Sequence, residues 1–319
     1  MTERTGLPGV TVVPVGGPAP EDVLVDERGR VYAGLADGRI VRTAGPGAPV
    51  ETVGRSFGRP LGLEFVGDDE LVVCASDAGL LAMPLDGGAV RTLADRVDGR
   101  RVLACNNAAV AADGTIWFSD SSTRFPVPRW RTDLVRRTAS GRLLRRDPDG
   151  AVSEVLGGLE FANGVALAAD ASYVAVAETA TGRLHRVWLT GPRAGRAEVF
   201  VDGIDGYPDN ISLGSDGLIW VALPSPRSRL LSVIRRMPSA VRTAVSAVPA
   251  RLQPGPVPTV GVVAVDDGGR VVHELRGTVP GFRMLTGVRE RNGVLWFGSL
   301  EGEAVATVPR PAQSTGAVP

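Results

Sequence analysis

Four side chains in this sequence carry a recognisable chemistry: Glu21, Asn106, Asn163 and Asp209. Two carboxylates and two amide carbonyls form a set of hard oxygen donors with no thiolate or imidazole among them. Such a set suits calcium better than zinc or copper, and its tolerance of irregular coordination favours calcium over magnesium. Singly, each residue has a plainer explanation, because Asn and Asp also favour turns and strand starts by bonding to nearby backbone. Their common place in a repeat sets the four apart.

The repeat is a short alternating strand, a turn ending in glycine, and a second strand rich in β-branched and aromatic residues, which together read as a β-hairpin. Its clearest copies are Glu-Asp-Val-Leu-Val-Asp-Glu-Arg-Gly from Glu21, Asn-Asn-Ala-Ala-Val-Ala-Ala-Asp-Gly from Asn106 and Asp-Asn-Ile-Ser-Leu-Gly-Ser-Asp-Gly from Asp209. Aligned on Gly29, Gly114 and Gly217, they place Tyr32, Trp117 and Trp220 at one further shared position. A fourth copy starts at Leu285, with Gly293 and Trp296 in register. Weaker copies start at Leu61, with its turn at Asp68-Asp69, and at Asn163, with its turn at Asp170-Ala171.

Repeats of this kind, roughly 40 to 50 residues apart, predict an all-β six-bladed β-propeller of four-stranded blades. Outer strands are expected from Gly38, Gly79, Gly141 and Gly182, and the early strand Val10–Val15 is expected to pair with the last blade and close the ring. In a propeller, equivalent positions of successive blades lie on one ring about the axis. The first residues of the copies read Glu21, Leu61, Asn106, Asn163, Asp209 and Leu285, so the oxygen-bearing four converge on the channel. Asn210 and Asn107 are candidates for a further ligand or a supporting hydrogen bond. Asp120 is a candidate for the channel entrance, with a plain turn as the alternative. Glu178 reads as a buried structural carboxylate, and His185 and His273 as packing or surface residues.

The segment 227–257 breaks the rhythm. Leu230, Ile234, Met237, Val241, Val245 and Val248 recur at helical spacing, so a helical insertion is expected between blades five and six, broken or kinked at Pro238. It carries Arg227, Arg229, Arg235, Arg236, Arg242 and Arg251 and no acid, which leaves three readings open: a packed helix with a solvated basic face, a lid over the channel, or a weak contact with an anionic membrane surface. Residues 1–319 are expected to form one domain, with 311–319 a flexible tail.

Composition excludes much else. The formal net charge is zero, which gives no field for nucleic acid, and there is no lysine for Schiff-base or P-loop chemistry. Two cysteines, Cys74 and Cys105, make no disulfide framework, and two histidines are too few for an imidazole metal site. With no transmembrane segment and no signal-like N-terminus, the expectation is a soluble cytoplasmic protein acting on a small molecule. The His-Glu-x-x-His motif of the metallohydrolases is missing.

The strings Phe161-Ala-Asn-Gly-Val-Ala-Leu, Gly206-Tyr-Pro-Asp-Asn-Ile and Trp117-Phe-Ser-Asp-Ser-Ser-Thr-Arg-Phe resemble the strictosidine synthase-like branch of the gluconolactonase, senescence marker protein and paraoxonase superfamily. The resemblance covers nearly the whole chain. It implies a six-bladed calcium propeller whose ligands map onto Glu21, Asn106, Asn163 and Asp209, with Asn210 as a possible addition. Hydrolytic members of that superfamily act on lactones, esters or organophosphates, which implies a calcium-dependent hydrolase in which Asp209 or a metal-bound water attacks. Two departures stand out. Paraoxonases carry a histidine in the second blade where this chain has Cys74-Ala75-Ser76, and the condensing synthase uses a sixth-blade glutamate where this chain has Met284-Leu285-Thr286-Gly287. The alternatives are a condensing or cyclising biosynthetic enzyme and a non-catalytic calcium propeller for protein contacts; oligomeric state is left open.

Overall fold

The computed structural model describes residues 4–5, 7–249 and 255–312. Six four-stranded antiparallel units follow one another along the chain. Blade one comprises Val23–Val25, Val31–Gly34, Arg39–Thr43 and Val50–Arg55, and blade two Pro60–Val66, Glu70–Ala75, Gly79–Pro84 and Arg91–Ala94. Blade three is Cys105–Val110, Ile116–Asp120, Gly141–Arg146 and Val152–Leu159; blade four is Ala162–Leu167, Tyr173–Glu178, Arg183–Trp188 and Ala197–Val201. Blade five runs Ile211–Leu213, Ile219–Leu223, Val260–Val265 and Val271–Gly277, with Arg4–Thr5 added in parallel at its outer edge. In blade six Leu285–Arg291, Val294–Ser299 and Ala304–Pro309 are completed by Thr11–Pro14 from the other end of the chain, antiparallel to Ala304–Pro309. That pairing closes the ring as expected and covers an open edge.

The repeat glycines sit where a side chain is disfavoured: Gly29, Gly114, Gly217 and Gly293 have φ of 76°, 85°, 78° and 83°. The aromatic of the repeat joins one blade to the next. Tyr32 packs between blades one and two, Trp117 between three and four, Trp220 between five and six, and Trp296 between six and one.

The helical insertion departs from expectation in its place. It lies inside blade five, between the second and third strands, because Val260–Val265 pairs with Ile219–Leu223 and not with blade six. The next copy counted in the register starts only at blade six, so the two outer strands of blade five, which are joined by their own turn at 266–269, fell in the interval. Helices α1 (Trp130–Arg136), α2 (Arg229–Arg236) and α3 (Ser239–Ser246) occur at equivalent points, α1 between the second and third strands of blade three and the other two in blade five. Helix α1 was not expected from the sequence. Its seven residues give too little period to stand out beside the strands. Pro238 separates α2 from α3 as expected, and Ser228 caps α2 by accepting from the Leu231 N–H at 3.2 Å. Arg251 and most of the 311–319 tail fall outside the described residues.

Candidate metal centre and substrate cavity

At the axis-proximal start of several innermost strands the ladder breaks its register, between Pro60 and Gly62, Cys105 and Ala108, Ala162 and Val165, and Leu285 and Gly287. A bulge of this kind swings a side chain out of the sheet alternation. The residues so turned include Asn106, Asn163 and Thr286. In blade six the ring position is therefore Thr286, which lines the central cavity, and not Leu285, which is fully buried in the core between blades five and six. The sequence register in that blade was one residue early, because Leu285 fills the start of the phrase and the bulge cannot be read from residue types.

Glu21, Asn106, Asn163 and Asp209 share one cavity of about 270 Å³. Glu21, Asn106 and Asn163 are buried, and Asp209 is half-buried, with its carboxylate open to the cavity. Each amide is held from behind: Asn106 Nδ2 donates to Ser121 Oγ at 3.0 Å and Asn163 Nδ2 to Thr179 Oγ1 at 3.1 Å. Thr179 in turn donates to the Pro208 carbonyl at 2.7 Å, tying Asn163 to the segment that carries Asp209. The carbonyl oxygens Asn106 Oδ1 and Asn163 Oδ1 are buried without any hydrogen-bond donor. Orphaned acceptors are costly, so native proteins rarely leave them unpaired without a ligand or ion to take them.

The carboxylates confirm the crowding. Burial pushes Asp209 well above the ordinary aspartate range, the charge of Glu21 adds to the push, and contact with the Asn163 amide opposes it. Glu21 is also raised, by burial first, against the pull of Arg59, whose Nη2 lies 2.6 Å from Glu21 Oε2. Two acids both raised by burial, with Glu21 raising Asp209 further, beside two unsatisfied carbonyls, fit a hard divalent cation. Among the described residues no three His, Cys, Asp or Glu side chains gather at metal-holding spacing. The fit rests on the mixed acid and amide set.

The other candidates separate. Asn210 is buried with neither side-chain atom hydrogen-bonded, while its N–H donates to the Thr286 carbonyl at 3.1 Å. Asn107 turns to a layer of its own: its Oδ1 accepts from Val165 N–H at 2.8 Å and its Nδ2 donates to Asp22 Oδ2 at 3.4 Å. Asp120 does not stand at the channel entrance. It is fully buried within blade three, accepts from Ala104 N–H at 2.8 Å, and pairs with the buried Arg142 at 3.0 Å. The start of the Asp120-Ser-Ser-Thr string is thus a strand end locked by an ion pair, and its next residue, Ser121, is the one that reaches Asn106. Glu178 is buried and bonded as expected, to the Glu160 N–H and to His185 at 2.9 Å. His273 stacks on Trp220 at 5.8 Å, and Cys74 and Cys105 are buried thiols.

The cavity wall above the ring is apolar, formed by Trp130 and Leu134 of α1, Leu230 and Ile234 of α2, Val245 of α3, and the loop residues Phe161, Met284 and Leu300. The insertion is thus one wall of the cavity. Its attachment is polar: Glu160 receives both Arg137, at 2.8 Å, and Arg235 of α2, and Arg235 also donates to the Leu134 carbonyl at 2.8 Å. Arg136 donates to Ser246 of α3 at 2.8 Å. Arg235 and Arg242 are therefore part-buried fastenings, not members of a free basic face. Among the described residues no helix is long and apolar enough to cross a membrane.

Residues 48–255 match the family described as the SMP-30/gluconolactonase/LRE-like region, and residues 5–43 match the strictosidine synthase-like N-terminal family. The chain is 31% identical to the Strictosidine synthase-like 13 protein of Arabidopsis thaliana over 324 residues, covering 92% of this chain and 78% of that one. Among solved structures, a Xanthomonas campestris gluconolactonase superposes with a TM-score of 0.68 at 17% identity, covering 95% and 89% of the two chains. A calcium-binding protein, regucalcin, from Agrobacterium tumefaciens gives 0.65 at 16% identity, covering 97% and 95%. At these identities the two structures speak for the fold. On its own sequence matches, the chain belongs to the SMP-30/gluconolactonase/LRE-like family, in its strictosidine synthase-like branch.

Proposed function

We propose that this protein is a calcium-dependent hydrolase of lactones or esters. The observation that carries the reading is the pair of buried, unpaired oxygens Asn106 Oδ1 and Asn163 Oδ1 beside Glu21 and Asp209, at the floor of an apolar cavity. Those four residues would hold the ion, with Asn210 behind them. Calcium bound there supplies a Lewis acid that polarises the substrate carbonyl and favours developing negative charge on its oxygen. Asp209, open to the cavity, is the group placed to take a proton from water or to attack the carbonyl carbon. Asn163 and Thr179 fix its orientation, and the apolar walls orient the substrate's body. The family's gluconolactonase membership supports the lactone class. A condensation of the synthase type is less well supplied, because the sixth-blade ring residue is Thr286, whose hydroxyl is spent on the Glu21 carbonyl at 2.9 Å.

The test is a panel of lactones and aryl esters, assayed with metal analysis before and after complete chelation and in Asp209→Ala. Loss of turnover in both, with recovery on adding calcium to the wild type, is expected. Turnover that survives both unchanged ends the reading.

We also propose a weak contact between the insertion and anionic membrane surface. Leu230, Val233, Val241, Val248 and Val257 are exposed there, beside exposed Arg229 and Arg236, and no acidic residue occurs between Gly217 and Val265. Co-sedimentation with phosphatidylserine vesicles, but not phosphatidylcholine vesicles, is expected, and its loss in Leu230→Ser/Val233→Ser; equal behaviour on both lipids refutes it.

A further inference from the structure

We propose that the cavity selects an amphiphilic anion, an apolar chain bearing a carboxylate, and that Arg131 holds the carboxylate. The inference rests on the cavity being the substrate site of the hydrolase reading and adds the class of substrate.

Apart from the ring carboxylates Glu21 and Asp209, the ionisable side chains of the cavity wall are Arg131, Arg227 and Tyr207. None is an acid of the carboxylate kind, so the wall repels a cationic amine and favours an anion. Arg227 is already committed: its Nε donates to the Ile204 carbonyl at 3.1 Å and its Nη2 to the Thr181 carbonyl. The neighbouring arginines at the end of α1 are committed too, Arg136 to Ser246 and Arg137, just past the helix, to Glu160. Arg131 is the exception. Among the described residues it has no acid and no carbonyl acceptor, only the ring of Trp130, 5.2 Å from its guanidinium carbon. Its Nη2 lies near Gly255, where an added Cβ would sit 3.9 Å away, so the guanidinium borders the mouth between α1 and the 255–257 segment.

A guanidinium with its N–H fork free is a carboxylate receptor, and a place over the face of the Trp130 ring occupies none of its N–H donors. Leu134, Ile234 and Val245 line the same cavity and offer no hydrogen bonds to a polyol. The geometry therefore suits an acyl chain with one anionic end better than a sugar lactone.

Isothermal titration calorimetry of the calcium-loaded protein with decanoate, decanol and decylamine tests this directly. Decanoate is expected to bind about 10-fold tighter than decanol, as one charge-assisted guanidinium contact allows, with decylamine weakest. Arg131→Met is expected to erase the difference between decanoate and decanol while leaving decanol binding unchanged, and Arg131→Lys to retain most of it. Equal affinities in the wild type overturn the proposal. So does decanoate binding that is lost on chelation but indifferent to Arg131→Met, which would put the carboxylate on the ring. Ester turnover is read separately: a protein that prefers decanoate through Arg131 yet hydrolyses nothing removes the hydrolase and keeps the subsite, whereas turnover without that preference does the reverse.

Discussion

Asn106 and Asn163, on neighbouring blades, are held in the same way: each donates its amide nitrogen to a hydroxyl of the second strand's end, Ser121 or Thr179, and leaves Oδ1 buried and unpaired. The hydroxyls therefore decide which end of each amide faces the channel. Removing them frees the amide to turn its NH₂ inward, where it would repel a cation.

Ser121→Ala and Thr179→Val should each weaken calcium binding by roughly 10-fold, the lower end of what loss of an outer-shell partner costs. Calcium titration followed calorimetrically reads this, and the rise in melting temperature on adding calcium should shrink in parallel. Unchanged affinity in both variants would show that the amides are oriented by something else.

Asp120 gives the fold a pH dependence of unusual sign. Burial raises its pKa to about 6 against the pull of the Ala104 N–H and Arg142, so the native chain holds a proton there that the unfolded chain releases nearer pH 4. This group's contribution is thus most favourable below pH 4 and is lost as pH rises through 6, by up to about 3 kcal/mol. The stability of the wild type minus that of Asp120→Asn, from urea unfolding at each pH, should fall between pH 4 and 7. Other acids, such as Glu178 with its lowered pKa, lose stability as pH falls and cancel in this difference. A flat difference would remove Asp120 as its source.

Much of this architecture was legible because the propeller writes the same phrase several times. Gly29, Gly114 and Gly217 mark turns that need positive φ, and Tyr32, Trp117 and Trp220 mark the seams between blades. Where the turn chemistry changed, the signal faded: the Asn163 copy uses Ala171 at φ 55° in place of glycine. The four ring oxygens were legible from register. Thr286 was displaced by a bulge, and bulges leave no mark in residue type. Asp120 was misplaced because its partner Arg142 lies across the blade on another strand, a pairing that only the sheet register reveals. The cavity wall was least legible. Helix α1 is short, and its meeting with α2 and α3 depends on long-range fastenings such as Arg235 to Leu134.

Gly164, the residue after Asn163, sits directly against the backbone of the next blade. A Cβ there would lie 2.1 Å from the Ile211 nitrogen and 2.6 Å from the Asn210 carbonyl carbon, both backbone. Neither can yield without moving the strand that follows Asp209. Gly164→Ala should cost about 3 kcal/mol, near the upper end for overpacking, and lower the melting temperature by roughly 4–5 °C. Calcium affinity should fall with it, since the displaced backbone carries Asp209 and Asn210. A melting temperature within error of wild type would mean that blades four and five can part freely.

Glu160 is the fastening on which the cavity wall depends. Its carboxylate takes Arg137 and Arg235 together, and its pKa is lowered, with burial opposing and the two guanidinium groups prevailing. Arg235 is mostly buried, so Glu160→Gln leaves a desolvated cation with a weaker partner. The insertion should then open locally more often without unfolding the blades, because the clamp joins helices to a loop and not strand to strand. Trypsin reads this cleanly, as every tryptic site in the chain is an arginine and Arg229, Arg236 and Arg242 all lie in α2 and α3. Cleavage at these three should accelerate about 10-fold in Glu160→Gln, the factor that corresponds to 1.4 kcal/mol of local stability, while the melting temperature of the propeller shifts little. If the digestion pattern is unchanged, the apolar contacts of Leu134, Ile234 and Val245 hold the wall by themselves and Glu160 only trims its surface.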